Sequence, residues 1–128
     1  HAPGLLLGVA AERRVGCDLE PVVARSAELW RQLLGEDRYR LAETIAARGE
    51  TRDAAATRVW AAGESLVKAG AAPGAPLVLD EVPDGAEDDG WVLLHSGRLR
   101  IGTLVAPLRD LDGPAALAVV AEAADGDR

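Results

Sequence analysis

Between Gly49 and Pro73 lies the longest stretch of this chain with a single periodicity, and it constrains the fold more than any other feature. Thr51 is placed to cap a helix, and Asp53 adds negative charge to its first turn, where the helix dipole favours it. The segment reads as helical to Gly70, and Pro73 bars further extension. Val59, Gly63, Leu66 and Val67 recur at i, i+4, i+7 and i+8, a stripe that turns one face of the helix to a core. Two shorter helices precede it. Ser26 is a candidate N-cap for a helix through Leu33 that ends at Gly35, and Glu36-Asp37 open a second that runs to about Arg48 and stops at Gly49.

Strands are expected on both sides of this helical block. The apolar run Leu5–Ala10, the polar turn Glu12-Arg13-Arg14 and the alternating segment Val15–Glu20 read as a hairpin, closed by Pro21. After a loop rich in Ala, Pro and Gly come strand-like runs at Leu77–Leu79, Trp91–Leu94, Leu99–Val105 and Ala115–Val120. Asp89-Gly90 and Ser96-Gly97 suit the turns of antiparallel hairpins. Two strands, three helices and then several strands predict an α+β fold, with an antiparallel sheet packed against the long helix.

The 128 residues suit one domain with one core. Phe and Met are absent, so the core must be assembled from Leu, Val and Ala, and it is expected to need a partner surface for completion. The chain begins at His1, which suggests a fragment of a larger protein. The apolar runs are shorter than a membrane span and no signal-peptide pattern is evident, so no membrane partner and a cytoplasmic location are expected. A lone Cys17 rules out an internal disulfide and a cysteine zinc site, which leaves hard cations with oxygen ligands open.

The net charge of −7 is uneven. Residues 1–68 carry ten basic and ten acidic side chains, against four and eleven in residues 69–128. A concentrated basic face is missing, so nucleic acid is not expected as a partner.

Asp18 and Glu20 stand two apart on one strand, so their carboxylates leave the same face, opposite Val15, Cys17 and Leu19. Two anions held so close call for a cation or a proton. Taken alone, Asp-x-Glu better suits an edge strand with a solvated face. Glu64 and Lys68 lie one helical turn apart, and as an exposed pair they would contribute only about 0.3–0.5 kcal/mol. Lys68, however, is the only lysine among thirteen arginines, and a compact ammonium is not equivalent to a guanidinium beside phosphate.

Together these segments resemble a known family. Val15-Gly16-Cys17-Asp18-Leu19-Glu20, followed by Trp60-Ala61-Ala62-Gly63-Glu64-Ser65-Leu66-Val67-Lys68-Ala69, is similar to the two signature boxes of the 4'-phosphopantetheinyl transferases. Those boxes are a strand reading G-[VI]-D-[IL]-E and a helix reading W-x-x-K-E-[SA]-x-x-K. The acidic spacing resembles the larger surfactin-synthetase-activating type rather than the small trimeric holo-carrier-protein synthases. The resemblance implies transfer of the phosphopantetheine arm of coenzyme A to a serine of an acyl or peptidyl carrier protein. It also implies that Asp18, Glu20 and Glu64 ligate Mg2+ on the coenzyme A pyrophosphate, as a few carboxylates, waters and phosphate oxygens can. Glu64 would help to deprotonate the serine, Lys68 would contact the phosphates, and His1 the nucleotide 3'-phosphate.

The chain departs from the family at three points. Gly63 stands where the signature helix carries a lysine; either an arginine such as Arg58 substitutes for that lost charge, or phosphate binding is weak and the enzyme slow or inactive. Cys17 replaces a small β-branched residue and is expected to face the core. Only the second half of the two-part transferase is present, so a homo-oligomer or another domain of the same synthase would complete the coenzyme A cleft. The C-terminal transferase domains of enediyne-type polyketide synthases resemble this arrangement. Two other readings follow from the same residues: an impaired transferase-fold domain that docks carriers or assembles a synthase, and a different Mg2+ site of similar spacing. Arg31, Arg38 and Arg40 read as solvated arginines on the side where such a carrier would dock.

Overall fold

Helix α3, Arg52–Lys68, is the beam on which the domain is built. The Thr51 hydroxyl oxygen accepts a hydrogen bond from the Ala54 N–H at 3.1 Å, as the N-cap reading requires. Before it come α1, Ala27–Leu34, and α2, Glu36–Ala46. Ser26 caps α1 by accepting from the Leu29 N–H, and Gly35, at φ 82°, turns the chain between the two helices. The computed structural model describes residues 14–81 and 89–123. The apolar run Leu5–Ala10, expected to pair in a hairpin, lies outside them, as does His1.

Five strands form one antiparallel sheet: β1 (Val15–Pro21), β2 (Val78–Leu79), β3 (Trp91–Ser96), β4 (Leu99–Pro107) and β5 (Pro114–Glu122). Their order is β1-β5-β4-β3-β2, so the first strand pairs with the last. The register sets Asp18 opposite Ala118 and Glu20 opposite Ala116. Gly97, at φ 58° in the two-residue β3–β4 connection, supplies the conformation that such a tight hairpin needs. The α+β architecture with an antiparallel sheet is therefore present. Among the described residues no helix is long and apolar enough to cross a membrane.

Helix α3 lies across β1, β5 and β4, with α1 and α2 stacked against its other side. Small residues bring these layers close. Ala55, Ala56, Ala61, Ala62, Ala116 and Ala118 are fully buried, and Trp30, Ile45, Leu66, Leu94 and Ile101 fill the remaining space. Gly16 marks the tightest approach. A Cβ there would stand 2.9 Å from the Ala69 nitrogen and nearer still to the Ser65 carbonyl oxygen. Strand β1 thus touches the helix backbone directly, which only glycine permits.

This contact decides which face of β1 is covered. The polar residues Gly16, Asp18 and Glu20 lie beneath α3, whereas Val15 and Cys17 are half-exposed on the outer face of the sheet. The expected core position of Cys17 is therefore corrected, because the helix seats on glycine rather than on the larger side chains. Leu19, also on the outer face, is covered instead by Ala115 and the chain around Leu108 and Leu111. Farther along that face the sheet stays open, with Trp91 lying over Gly102 and Leu93 52% exposed. Val67, expected in the apolar stripe, is exposed at the end of α3.

Candidate functional site

Because β1 meets α3 through Gly16, the next helix-facing residue, Asp18, is buried at the seam. Its side chain is 3% exposed, and its Oδ1 accepts a hydrogen bond from Lys68 Nζ at 2.8 Å. This bond raises the Lys68 pKa against the opposing effect of burial. The other Asp18 oxygen, Oδ2, is buried with no hydrogen-bond partner. A buried carboxylate oxygen left unpaired is costly, and a missing cation is one remedy.

Glu20 follows on the same face. Burial first, then the hydrogen bond and charge of Asp18, and more weakly the charge of Glu64, push its carboxyl up to about 6. Beside it lies a cavity of about 140 Å³, lined also by Trp30, Thr57 and Trp60. Its rim is fixed by Asp53, which accepts hydrogen bonds from Trp30 Nε1 at 2.9 Å and from the Arg25 N–H at 3.0 Å. Burial opposes ionisation of Asp53, but these bonds outweigh it and hold the carboxyl below its ordinary value. The Arg25 guanidinium stacks 4.9 Å over the Trp30 ring.

Glu64, half-buried on α3, completes the set electrostatically, since its charge reaches both Glu20 and Arg38. The structure thus brings Asp18, Glu20, Glu64 and Lys68 to one seam between a strand and a helix. As they stand, no three carboxylate, imidazole or thiol groups among the described residues are grouped to hold an ion. The Lys68 ammonium occupies part of the role a cation would take beside Asp18. The donors nonetheless fit a hard divalent ion. They are carboxylates, one presents an unpaired buried oxygen, and another holds its proton unusually tightly because it is buried beside Asp18.

Arg58 is not part of this seam. Six positions before Glu64, it lies about 120° away around the helix. Its side chain is 5% exposed and grips both Glu50 carboxylate oxygens, at 2.7 and 2.8 Å. It also donates to the Thr103 carbonyl at 2.8 Å and the Gly90 carbonyl at 3.1 Å. Arg58 ties α3 to β4 and the entry of β3, so its expected place beside the phosphates is corrected.

Arg38 of α2 lies near Glu64 instead. Its guanidinium rests on the α3 backbone at Gly63, with Cζ 3.4 Å from where a Cβ would stand and Nη1 nearer. The sequence carried one trace of this arrangement, a glycine inside a helix, which there signals something packed against the backbone.

A larger cavity, of about 670 Å³, lies at the opposite edge of the sheet by β2. Its lining includes Arg98, Arg100 and His95, whose Nδ1 meets the Asp80 carboxylate. His95 is half-exposed there.

The chain matches no family model, no curated protein and no solved structure with which it was compared.

Proposed function

We propose that this domain transfers the 4'-phosphopantetheine arm of coenzyme A to a serine of an acyl or peptidyl carrier protein, at the seam between β1 and α3. One observation carries the reading. The two sequence boxes that resemble the transferase signature lie against each other, with buried Asp18 bonded to Lys68 and retaining an unpartnered oxygen. Either box alone would be weak support; their physical contact supports the reading.

In this reading Asp18, Glu20 and Glu64 would hold Mg2+. When bound, the ion neutralises charge that develops on the phosphate oxygens. Glu64 takes the proton of the carrier serine, directly or through one water. The serine oxygen forms a bond to the pantetheine-bearing phosphorus, and the bond from that phosphorus to the bridging oxygen breaks. The adenosine phosphate portion leaves with the electron pair. Lys68 exchanges its Asp18 contact for phosphate, which its partly exposed side chain allows. Val23, Leu29 and Leu33 form an exposed apolar patch beside the Glu20 cavity, with Arg25 and Arg31 nearby. An acidic carrier would present its serine across that surface.

The test is direct. Purified protein, coenzyme A, Mg2+ and an apo carrier should yield a carrier heavier by one phosphopantetheine in its intact mass. Folded protein that modifies none of several carriers would overturn the proposal.

Gly63, standing where the signature helix carries a lysine, favours a second reading, a transferase-fold module that binds carriers without catalysis. It requires carrier binding to survive Asp18→Ala and Glu64→Ala, with no transfer by the unmodified protein.

A further inference from the structure

We infer that Arg38 is a phosphate-binding residue beside Glu64, seated on α3 by Gly63 and supplying from a neighbouring helix a charge that α3 itself lacks there. The inference rests on the transferase reading and goes beyond the strand and helix boxes, since Arg38 belongs to neither.

Three features of its surroundings support it. First, Gly63 is buried in the middle of α3, where glycine is unfavourable relative to alanine. Its missing side chain is replaced by the Arg38 guanidinium, which lies on the helix backbone next to Glu64. Second, that guanidinium is under-used. Nη2 donates to the Ala75 carbonyl at 2.6 Å, and among the described residues Arg38 forms no salt bridge. A guanidinium has several further N–H donors in a planar fork suited to phosphate oxygens. Arg58, by contrast, has its guanidinium engaged by Glu50, Thr103 and Gly90. Third, Arg38 is half-buried. Desolvation lowers its pKa, and the nearby Glu64 charge opposes that shift. A desolvated cation beside Glu64, with donors to spare, suits a diphosphate that arrives with its own divalent ion.

The arrangement brackets Glu64. Lys68 lies one turn beyond it on α3, and Arg38 lies over the residue before it. A diphosphate held by both would sit across the acid that takes the serine proton.

The inference is tested with magnesium pyrophosphate titrated calorimetrically and with coenzyme A in the transfer assay, each beside a thermal melt. Arg38→Ala should weaken pyrophosphate binding and raise the KM for coenzyme A by about tenfold or more, the loss expected for charge-assisted hydrogen bonds. Arg38→Lys should recover part of it. Gly63→Ala provides the sharper test. The added methyl displaces only the mobile end of Arg38, so the protein should melt no lower than wild type while pyrophosphate binding weakens. Arg38→Ala combined with Gly63→Lys returns a cation to the same spot from α3 and should recover affinity relative to Arg38→Ala alone. If Arg38 only braces the loop at Ala75, Arg38→Ala will melt lower with unchanged affinity and KM, which overturns the inference. If Asp18→Asn still abolishes transfer in that case, the proposed function stands without Arg38. Wild-type protein that transfers nothing refutes the function itself, and the pyrophosphate titrations of the same variants still decide the role of Arg38.

Discussion

Replacing Gly16 by alanine should loosen the domain and its site together. The new Cβ would stand 2.9 Å from the Ala69 nitrogen and 3.2 Å from the Ala69 Cβ, with the Ser65 carbonyl oxygen closer than either. Two of these three atoms are helix backbone, which cannot step aside as a side-chain tip can. Strand and helix must part by something on the order of 1 Å before the contact becomes ordinary, and such overpacking costs about 1–3 kcal/mol. For a domain of this size that lowers the midpoint of thermal unfolding by roughly 4–15 °C. The displacement carries Glu64 and Lys68 with it, so the 2.8 Å bond between Lys68 and Asp18 stretches beyond hydrogen-bonding range. Calorimetry and the Mg2+-dependent transfer assay read the two effects. The control is Gly102→Ala, where the added methyl meets the exposed Trp91 ring at 3.2 Å, which can shift, and the exposed Leu93 at an ordinary 3.8 Å. A Gly16→Ala protein that melts within a degree of wild type would refute the close seam on which the site depends.

Three other outcomes are expected. Arg58→Ala should cost about 3–5 kcal/mol, since it leaves Glu50 without its buried partner; a urea titration measures this, and pyrophosphate binding by the folded fraction should be unchanged. Asp53→Ala should cost about 1–3 kcal/mol by stranding the buried Trp30 N–H, whereas Asp53→Asn should retain most of the stability near neutral pH. In wild type the depressed Asp53 pKa contributes stability that is present above the unfolded-state value and lost as acid takes the pH down through the folded one. Glu20 has the opposite sign: its pKa is raised to about 6, so the folded state keeps a proton that the unfolded state has already lost. Its contribution falls as the pH rises through 6. Mg2+ must displace that proton, so its affinity should climb with pH up to about 6 and level off above, and Glu20→Gln should flatten the climb.

Local signals in the sequence were strong. The side chains of Ser26 and Thr51 cap the helices they were expected to cap, and Gly35 ends α1, because capping depends on residues only a few positions apart. The five described strands fall where apolar runs lie between turn residues. The two faces of β1 were legible as sets, since side chains alternate, but alternation does not reveal which set a helix will cover. Hydrophobicity assigned the cover to Cys17 and its neighbours. Backbone contact at Gly16 reversed that and buried Asp18 instead. The arginines show the same limit. Proximity along the chain favoured Arg58, whereas packing turned Arg58 toward Glu50 and brought Arg38 from another helix. Which charge lies beside which acid is a tertiary fact, and a lone helix glycine was its only trace in the sequence.

Mn2+, which substitutes for Mg2+ at oxygen sites and can be counted by electron paramagnetic resonance, gives the most direct test of the seam. Titrated into the protein with coenzyme A present, it should bind at the seam of wild type, and Asp18→Asn, Glu20→Gln and Glu64→Gln should each weaken that binding at least tenfold while the protein stays folded. Equal Mn2+ binding by wild type and all three variants would mean that these acids share no ion, and the proposed chemistry would have to be abandoned.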